Sequence, residues 1–413
     1  MGVTGESVLR LLKHFRVPGV ITFDAKAPAD YVDPDKMLSE RAPRTLVVSP
    51  GVPLATPWIR DFVAEGGDVT SEIALACHLL QGERIVGVTG AVGKSTVVSL
   101  LEAGLRRFSP ESFAGGNLGV PLADYALAVE QGKRPRAPWL ALELSSYQLE
   151  NCGSLPCEYS VLTYLTPNHM DRYASLDHYY ETKWELVKRT TKGVVLNRNG
   201  GDLAKFARGR SLPGVHFFWT DHTDDSLADL HLEKARLLGQ HNQDNLALAV
   251  TLAQKAGWPE VAIEGMREFP GLPHRMENLG ERGGVLCVND SKATTIESVK
   301  TAALGIFHQM DPKRQLILLL GGKDKNLPWL DLAGLRRIPK LRCVYFGEVG
   351  PHAKRQAGFD GEVFPRLEPA VRHAVGLAKP GDVILLSPGG TSLDEFKNYE
   401  ERGGKFREWV LGC

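Results

Sequence analysis

Cysteine is scarce in this sequence, and its spacing supports neither a zinc site nor a disulfide framework. The 413 residues include six cysteines, with no Cys-x2-Cys pair among them. They are Cys77, Cys152, Cys157, Cys287, Cys343 and Cys413. Scattered thiols of this kind are typical of a reducing compartment. We therefore expect free cysteines and a cytoplasmic protein.

Long apolar runs and an excess of charge of one sign are also missing. The longest aliphatic run, Leu316–Leu320, is far too short to span a bilayer. Lysine plus arginine and aspartate plus glutamate number 49 each, so nothing suggests a nucleic acid or an anionic membrane as partner. Hydrophobic residues make up 43% of the chain and charged residues 24%, as in a soluble globular protein. We expect a monomer without a membrane span.

Strand and helix patterns alternate along the whole sequence, which predicts an α/β fold with mainly parallel sheets. A chain of 413 residues is too long for one hydrophobic core. We therefore predict three domains, over residues 1–81, 82–271 and 272–413.

The feature with the clearest chemistry is a glycine-rich turn between an apolar strand and a helix. It reads Thr89-Gly90-Ala91-Val92-Gly93-Lys94-Ser95-Thr96. Glycines let backbone N–H groups surround phosphate oxygens, and a helix N-terminus adds partial positive charge. In such a loop Lys94 contacts the terminal phosphates and Ser95 binds Mg²⁺. Val88 stands where the strict motif has its first glycine, so this phosphate loop is a variant.

Three more positions in the central segment are candidates for chemistry. Glu143 follows the apolar run Trp139–Leu142, where an ATPase places a carboxylate beside its metal. His169 follows a strand predicted over 160–164, and Lys183 lies on a helix predicted over 179–190. A lone His is usually structural and a helical Lys is by default a solvated charge, so the residues alone leave both roles open.

The first segment has a weaker nucleotide-binding pattern. Residues 2–5 predict a glycine-rich turn that leads into a helix over 7–15. Strands are predicted over 20–23 and 46–48, and the first of them ends at Asp24. A turn, a helix and an acid about 20 residues further on are typical of half a nucleotide-binding unit.

The third segment is predicted to contain four strands, each followed by polar or glycine-rich sequence. They lie over 285–289, 315–320, 342–346 and 382–386. Ligands of open α/β sheets bind beyond the carboxyl ends of the strands. Asp290 and Lys292 follow the first strand and form either a site or a salt-bridged turn. Arg275, near the predicted boundary, is either a linker charge or a phosphate-binding group.

Together these motifs resemble the Mur ligase family of peptidoglycan synthesis, in the same order and over nearly the whole chain. Besides the phosphate loop, the resemblance rests on Gly116-Asn117-Leu118-Gly119, Glu143-Leu144-Ser145-Ser146, His169-Met170-Asp171-Arg172-Tyr173, Leu272-Pro273-His274-Arg275, Asn289-Asp290-Ser291-Lys292 and Ser392-Leu393-Asp394-Glu395-Phe396. The second, third and last of these strings are similar to those of the D-glutamate-adding branch. The Asp-Asn-Pro-Arg string of the diaminopimelate-adding branch is absent.

The resemblance implies an ATP-dependent enzyme that ligates D-glutamate to UDP-N-acetylmuramoyl-L-alanine through an acyl phosphate. It also implies a Rossmann-like UDP-substrate domain, a central P-loop ATPase domain and a Rossmann-like C-terminal domain, with ATP and two Mg²⁺ as cofactors. Alternatives are another Mur-type ligase, a ligase similar to folylpolyglutamate synthase or, with less support, a regulatory P-loop ATPase.

The resemblance assigns roles to individual residues. Catalysis falls to Lys94, Glu143, His169 and Lys183, and metal binding to Ser95, Glu143, His169 and Lys183, the last as a carbamate. ATP binding falls to Gly90, Gly93, Lys94, Ser95, Thr96, Asn242, Arg275 and Asp290. UDP-substrate binding falls to Val3, Thr4, Asp24, Ser49, Gly51 and Asn117. D-Glutamate binding falls to Lys292, Thr294, Lys325, Ser392 and Tyr399.

Some positions depart from the family pattern. Ala91 and Val92 replace a hydroxyl residue and an Asn of the phosphate loop, and Lys183 lies one residue closer to His169 than is usual. No apolar strand precedes residues 2–5. We therefore expect a chain that begins late, with an unpaired sheet edge and irregular structure over residues 1–6.

Overall fold

The computed structural model describes residues 1–117 and 119–412, and it divides the chain into two compact units. The phosphate-loop unit comprises residues 1–230 and 244–266, and the C-terminal unit comprises residues 231–243 and the chain from 267 onward. The α/β class with mainly parallel sheets is confirmed. The three-domain boundaries and the Rossmann assignments stay predictions.

The phosphate-loop unit is built around a six-stranded parallel sheet, counted over the described residues. In spatial order its strands are Phe113–Gly116, Trp139–Glu143, Arg84–Thr89, Cys157–Leu162, Thr190–Asn197 and His216–Thr220. Arg84–Thr89 is central and buried from Ile85 onward, which accounts for its unbroken apolar sequence. Successive strands are added on both sides of it, so ligands are expected at its carboxyl end.

The helices of this unit cover the sheet and the N-terminal segment. They are Val3–His14, Pro34–Arg41, Pro57–Ala64, Glu72–Cys77, Lys94–Phe108, Leu122–Glu130, Ser146–Leu149, Leu176–Lys188, Leu203–Phe206 and the 3-10 turn Asp225–Leu230. Helix Gln240–Ala256 crosses the boundary between the units, and Glu260–Arg267 ends at it. In Lys94–Phe108, buried Val97, Leu101 and Leu105 recur at the four-residue spacing of one helix face.

The N-terminal segment differs from its prediction. Its helix is Val3–His14, so residues 3–5 belong to the first helical turn and not to a glycine-rich loop, and residues 3–6 are regular. Buried Val8 and Leu11 anchor this helix, since Leu11 lies in the core formed with the central sheet. The predicted strand over 20–23 is wrong, because only Phe23 forms a β-bridge, to Tyr31. The sheet here is the parallel pair Thr45–Val47 and Asp68–Thr70.

The C-terminal unit contains a second six-stranded sheet in the described residues. Its strands, in spatial order, are Gly361–Phe364, Leu341–Phe346, Leu316–Gly321, Val383–Gly389, Val285–Asn289 and Glu277–Arg282. Neighbours are parallel except for Glu277–Arg282, which pairs antiparallel with Val285–Asn289. The four predicted strands are confirmed to within a few residues.

Helices pack on both faces of this second sheet. They are Ile296–Phe307, Gly350–Ala357, Leu367–Leu377 and Tyr399–Gly412, with 3-10 turns at Leu232–Lys234 and Trp329–Arg337. The five described cysteines are free thiols, as expected, and Cys413 lies outside the described residues. Among the described helices, none combines the length and apolar character that crossing a bilayer needs.

Candidate active site

The phosphate loop has the geometry that its glycines predict. Gly90 and Gly93 have φ angles of 148° and 87°, in the region that side chains rarely adopt. A Cβ at Gly90 would overlap Thr163 Oγ1, and one at Gly93 would lie 2.5 Å from Asn245 Oδ1. The backbone therefore passes too close to its neighbours for any other residue. The helix Lys94–Phe108 starts directly after this turn.

Lys94, Ser95 and Glu143 are brought together at this helix start. The Lys94 ammonium donates to the carbonyl oxygens of Gly90, at 2.9 Å, and Ala91, at 3.2 Å. Ser95 Oγ donates to Glu143 Oε2 at 2.7 Å. The carboxylate at the end of one strand thus meets the hydroxyl of the neighbouring phosphate loop, as predicted from their positions.

Asn117 also contacts this carboxylate. Its side-chain amide donates to Glu143 Oε1 at 2.7 Å, and its backbone N–H donates to the Glu143 carbonyl at 2.9 Å. Asn117 was assigned to the UDP-substrate by resemblance, and the structure places it where it fixes Glu143. Leu118 of the same motif lies outside the described residues.

Lys183 is buried, with 2% of its surface exposed, so the default expectation of a solvated charge is wrong. Its ammonium donates to Gly90 O at 2.9 Å and lies 4.8 Å from the centre of the Tyr179 ring. Burial, and then the charge of Lys94, hold the pKa of Lys183 well below its ordinary value. Lys94 and Lys183 therefore donate to the same acceptor, the Gly90 carbonyl of the phosphate loop.

His169 lies at the edge of this group with a φ of 56°. Its Nδ1 and the Tyr147 hydroxyl are 2.9 Å apart and hydrogen-bonded. His169 is exposed, but partial desolvation of its ring, and then the positive charge of Lys183, lower its pKa, which favours the neutral, metal-binding ring. Tyr147 was not predicted, although the Ser145–Gln148 capping box of its helix is readable in the sequence.

The donor set suits Mg²⁺ more than a transition metal. Within residues 1–117 and 119–412, no three His, Cys, Asp or Glu side chains converge on a point. Mg²⁺ is commonly held by one or two carboxylates, water and substrate phosphates. Glu143 and Ser95, beside a phosphate-binding helix start, fit that description. Thr96 lies on the first turn of the same helix.

The residues predicted to bind the UDP-substrate are spread over the N-terminal segment. Val3 and Thr4 start the first helix, and Val3 is exposed. Asp24 accepts hydrogen bonds from the backbone N–H groups of Lys26 and Ala27, which lower its pKa to about 2. Ser49 lines a cleft together with Val52, Tyr147 and Arg172, and Gly51 lies in the same loop.

The predicted nucleotide residues of the C-terminal unit differ in exposure. Asp290 is buried, accepts from Ser387 Oγ at 2.9 Å and from Met276 N at 3.2 Å, and burial raises its pKa to about 7. Asn242 is buried and donates to Leu238 O at 2.7 Å. Arg275 is exposed, next to His274 and Met276, which both have positive φ.

Most of the predicted D-glutamate residues follow the carboxyl ends of three strands, Val285–Asn289, Leu316–Gly321 and Val383–Gly389. Lys292 Nζ donates to the Tyr399 hydroxyl at 3.2 Å and lies 4.7 Å from the centre of that ring. Burial lowers the pKa of Lys292. Ser392 is buried, Thr294 is half-buried, and Lys325 is exposed after strand Leu316–Gly321. Lys292 and Tyr399 are thus the pair brought into contact.

Arg402 is a central residue of this unit that sequence reasoning missed. It is fully buried, and it donates to Ser291 Oγ at 3.0 Å, Ser291 O at 2.7 Å and Gly390 O at 3.1 Å. Burial lowers its pKa to about 10. Arg402 joins the loops after strands Val285–Asn289 and Val383–Gly389. Its four-residue spacing from buried Phe406 could have identified it.

A parallel sheet with a phosphate loop at its central strand, and a serine and a carboxylate placed for Mg²⁺, define a P-loop nucleotide-binding enzyme. Comparison with known families makes this specific. The model of the Mur ligase middle domain matches residues 88–253, and that of the Mur ligase glutamate ligase domain matches residues 274–390. The chain belongs to the Mur ligase family, whose members are ATP-dependent ligases.

Its relatives include the UDP-N-acetylmuramoylalanine--D-glutamate ligases of Nitratidesulfovibrio vulgaris and Anaeromyxobacter dehalogenans. The first is 36% identical over 89% of this chain and 82% of that protein, and the second 36% identical over 88% and 82%. The crystal structure of MurF from Acinetobacter baumannii has the same fold, with a TM-score of 0.59 at 16% identity, over 83% of this chain and 79% of that one.

Proposed function

We propose that this chain catalyses the ATP-dependent ligation of D-glutamate to UDP-N-acetylmuramoyl-L-alanine. The observation that carries the proposal is the contact of Ser95 with Glu143 beside Lys94, in a family member about one third identical to enzymes named for this reaction. The Glu-Leu-Ser-Ser and His-Met-Asp-Arg-Tyr strings, typical of the D-glutamate-adding branch, supply its active-site residues.

The reaction needs an activated carboxylate, because a carboxylate ion is a poor electrophile. The alanine carboxylate oxygen attacks the γ-phosphorus of ATP and ADP leaves, which yields an acyl phosphate. The amine of D-glutamate then attacks the acyl carbon, loses a proton and expels phosphate. No protein nucleophile is needed, so the residues act by positioning and electrostatics.

Lys94 would neutralise charge on the transferring phosphoryl group from the phosphate-loop side. Ser95 and Glu143 would hold one Mg²⁺, with Asn117 fixing the Glu143 carboxylate. His169 would offer Nε2 to a second, since its Nδ1 is bonded to Tyr147. Mg²⁺ in these places would polarise phosphoryl oxygens and orient the two reactants.

Lys183 is suited to become a carbamate. Only a neutral amine adds CO₂, forming an N–C bond and releasing a proton, and burial, by lowering the pKa of Lys183, favours the neutral amine. The product is an anion where Lys183 would otherwise be a second cation beside Lys94. A carbamate oxygen could then bind the metal that His169 holds.

Asp290, Arg275 and Asn242 are proposed for ATP, and the exposed Lys325 with Thr294, Ser392 and the Lys292–Tyr399 pair for D-glutamate. A substrate with two carboxylates calls for fixed cations and hydroxyl donors.

A coupled phosphate-release assay tests the proposal directly. UDP-N-acetylmuramoyl-L-alanine and ATP are supplied with D-Glu, L-Glu, L-Ala or diaminopimelate in separate reactions. Release with D-Glu alone is the expected result. Release with another amino acid would assign the chain to a different ligase, and release without any amino acid would indicate a regulatory ATPase.

A further inference from the structure

Arg172 lines the cleft between the N-terminal segment and the central sheet, and its side chain makes several hydrogen bonds there. Its guanidinium forms a two-point pair with Glu150, from Nε at 3.1 Å and Nη2 at 2.7 Å. Nη1 donates to Pro50 O at 2.9 Å, and Nη2 makes a long contact of 3.5 Å to Val52 O. Only 8% of the side chain is exposed.

The same guanidinium is tied to His169 by two routes. Its central carbon lies 3.9 Å from the centre of the Tyr147 ring, and the hydroxyl of that ring bonds to His169 Nδ1. The backbone N–H of Arg172 also donates to His169 O at 3.0 Å, which closes a turn that begins at His169. A shift of Arg172 would therefore move both the ring and the backbone of His169.

We propose that Arg172 is a positioning residue that fixes the loop Val48–Val52 at a set distance from His169. The inference rests on the proposed function, in which this loop binds the UDP-substrate through Ser49 and Gly51. One planar guanidinium holds two loop carbonyls and, through Tyr147, the candidate metal-binding ring. The loop that binds the UDP end of the substrate and the His169 ring near its reacting end would thereby be held at a fixed separation.

The chemistry of the side chain explains why this position needs arginine. A guanidinium presents five N–H donors in a rigid fork and stacks on aromatic rings, whereas an ammonium is a compact point charge. Lysine at position 172 could still pair with Glu150, but it could not reach Pro50 O and cover Tyr147 at once. Glu150 follows the helix Ser146–Leu149, so the helix that carries Tyr147 also anchors the guanidinium.

The test compares equilibrium binding of each substrate alone, so that it does not depend on turnover. Calorimetry gives Kd for UDP-N-acetylmuramoyl-L-alanine and for Mg·ATP with the wild type, Arg172→Lys and Glu150→Gln. We expect Arg172→Lys to weaken UDP-substrate binding at least tenfold, about 1.4 kcal/mol, and to leave the ATP Kd within twofold. Glu150→Gln keeps one acceptor oxygen and should have a smaller effect in the same direction.

The phosphate-loop unit offers a matched control. Arg84 also pairs with Glu158, at 2.9 Å, and stacks on Trp139 at 3.8 Å, but it lies at the start of its strand, away from the candidate site. Arg84→Lys likewise removes a guanidinium that pairs with a carboxylate and stacks on an aromatic ring. It should leave both Kd values unchanged, and thermal unfolding of both variants shows whether each is folded.

A charge exchange, Arg172→Glu with Glu150→Arg, separates positioning from a simple ion pair. It restores the pair but places a carboxylate against the Pro50 carbonyl, so UDP-substrate binding should stay weak. Full recovery would overturn the proposal, as would equal losses of ATP and UDP-substrate binding in Arg172→Lys. If the wild type does not bind the UDP-substrate, the proposed function fails first, and this inference with it.

Discussion

The two units of the molecule present their candidate residues differently. In the phosphate-loop unit the predicted residues touch one another: Ser95 and Asn117 bond to Glu143, and Lys94 and Lys183 share the Gly90 carbonyl. In the C-terminal unit the predicted cations Arg275 and Lys325 are exposed. The first candidate site is assembled from mutually bonded groups, of which Glu143 and Lys183 are buried, and the second presents two of its cations to solvent.

The difference reflects what each site must hold. Charges removed from water are stable only when they are paired and hydrogen-bonded, so buried phosphate and metal chemistry requires a preformed network. An exposed cation keeps its hydration until a ligand replaces it. Changes in the first site should therefore lower the rate, and changes in the second should mainly lower the affinity for one substrate.

The largest effect is expected from Lys94→Ala. Losing one electrostatic contact to the transition state typically costs ~10²–10³-fold in kcat. The measurement is phosphate release at saturating substrates, with thermal unfolding as the test of folding. Lys188→Ala removes an exposed lysine that pairs with Glu185, and it should leave kcat unchanged. A Lys94→Ala enzyme that keeps a tenth of the wild-type kcat would contradict the phosphate-loop assignment.

Lys325→Ala should raise KM for D-glutamate by ~10-fold or more, because one charge-assisted hydrogen bond contributes about 1.5–3 kcal/mol. KM for ATP should hardly change. Lys313→Ala is the control, since Lys313 precedes strand Leu316–Gly321 at its amino end, whereas Lys325 follows its carboxyl end. If both Michaelis constants rise together, Lys325 belongs to the nucleotide site and the contrast between the units weakens.

Removing CO₂ should lower activity several-fold at pH near 7, and bicarbonate should restore it. The reason is that a carbamate on Lys183 would be lost slowly as dissolved CO₂ is depleted. Lys183→Arg cannot form the carbamate, so whatever activity it keeps should not respond to bicarbonate. Equal responses of the wild type and Lys183→Arg would argue against carbamylation.

The smallest expected effect concerns how the free energy of unfolding depends on pH. A buried carboxyl group in each unit should contribute to that dependence. Burial raises the pKa of Glu72 and of Asp290 to about 7, from 4.5 and 3.8. Between about pH 4 and pH 7 each of these two groups binds more protons in the folded state than in the unfolded state, so its contribution to stability should fall as pH rises. Each group contributes a slope of up to ~1.4 kcal/mol per pH unit.

Urea unfolding at pH 5 and pH 8 measures that slope. Glu72→Gln and Asp290→Asn should each reduce the pH dependence of the unfolding free energy by the contribution of the carboxyl group that the substitution removes. A slope that neither variant alters would show that both groups ionise as easily in the folded protein as in the unfolded one.

Much of the fold followed from sequence because buried parallel strands are long apolar runs. Arg84–Thr89, Trp139–Glu143 and Leu316–Gly321 were all found to within a residue or two. Strands of mixed character were missed, such as Glu277–Arg282, which is only partly buried along most of its length. Apolar Val20–Phe23 was taken for a strand, but the side chain of Asp30 bonds the Thr22 backbone there.

The candidate site was predictable where local spacing determines it and not where distant segments meet. Gly90, Lys94 and Ser95 lie in one loop, and Glu143 ends a neighbouring strand, so their meeting could be anticipated. The burial of Lys183 and the bond from Asn117 to Glu143 depend on how the sheet is ordered. Arg172 and its loop carbonyls are separated by about 120 residues, and no local pattern encodes that contact.

The buried guanidinium of Arg402 has a consequence for how this sequence can vary. Two of its three acceptors are main-chain carbonyls, which do not depend on the side chains at positions 291 and 390. Of the three acceptors, the Ser291 hydroxyl is the one that an exchange in these two loops could replace. Lysine offers a single nitrogen in place of a fork. Lineages that lose Arg402 would therefore have position 291 as their one place for a second-site remedy among these acceptors, and reversion would be the simplest way back.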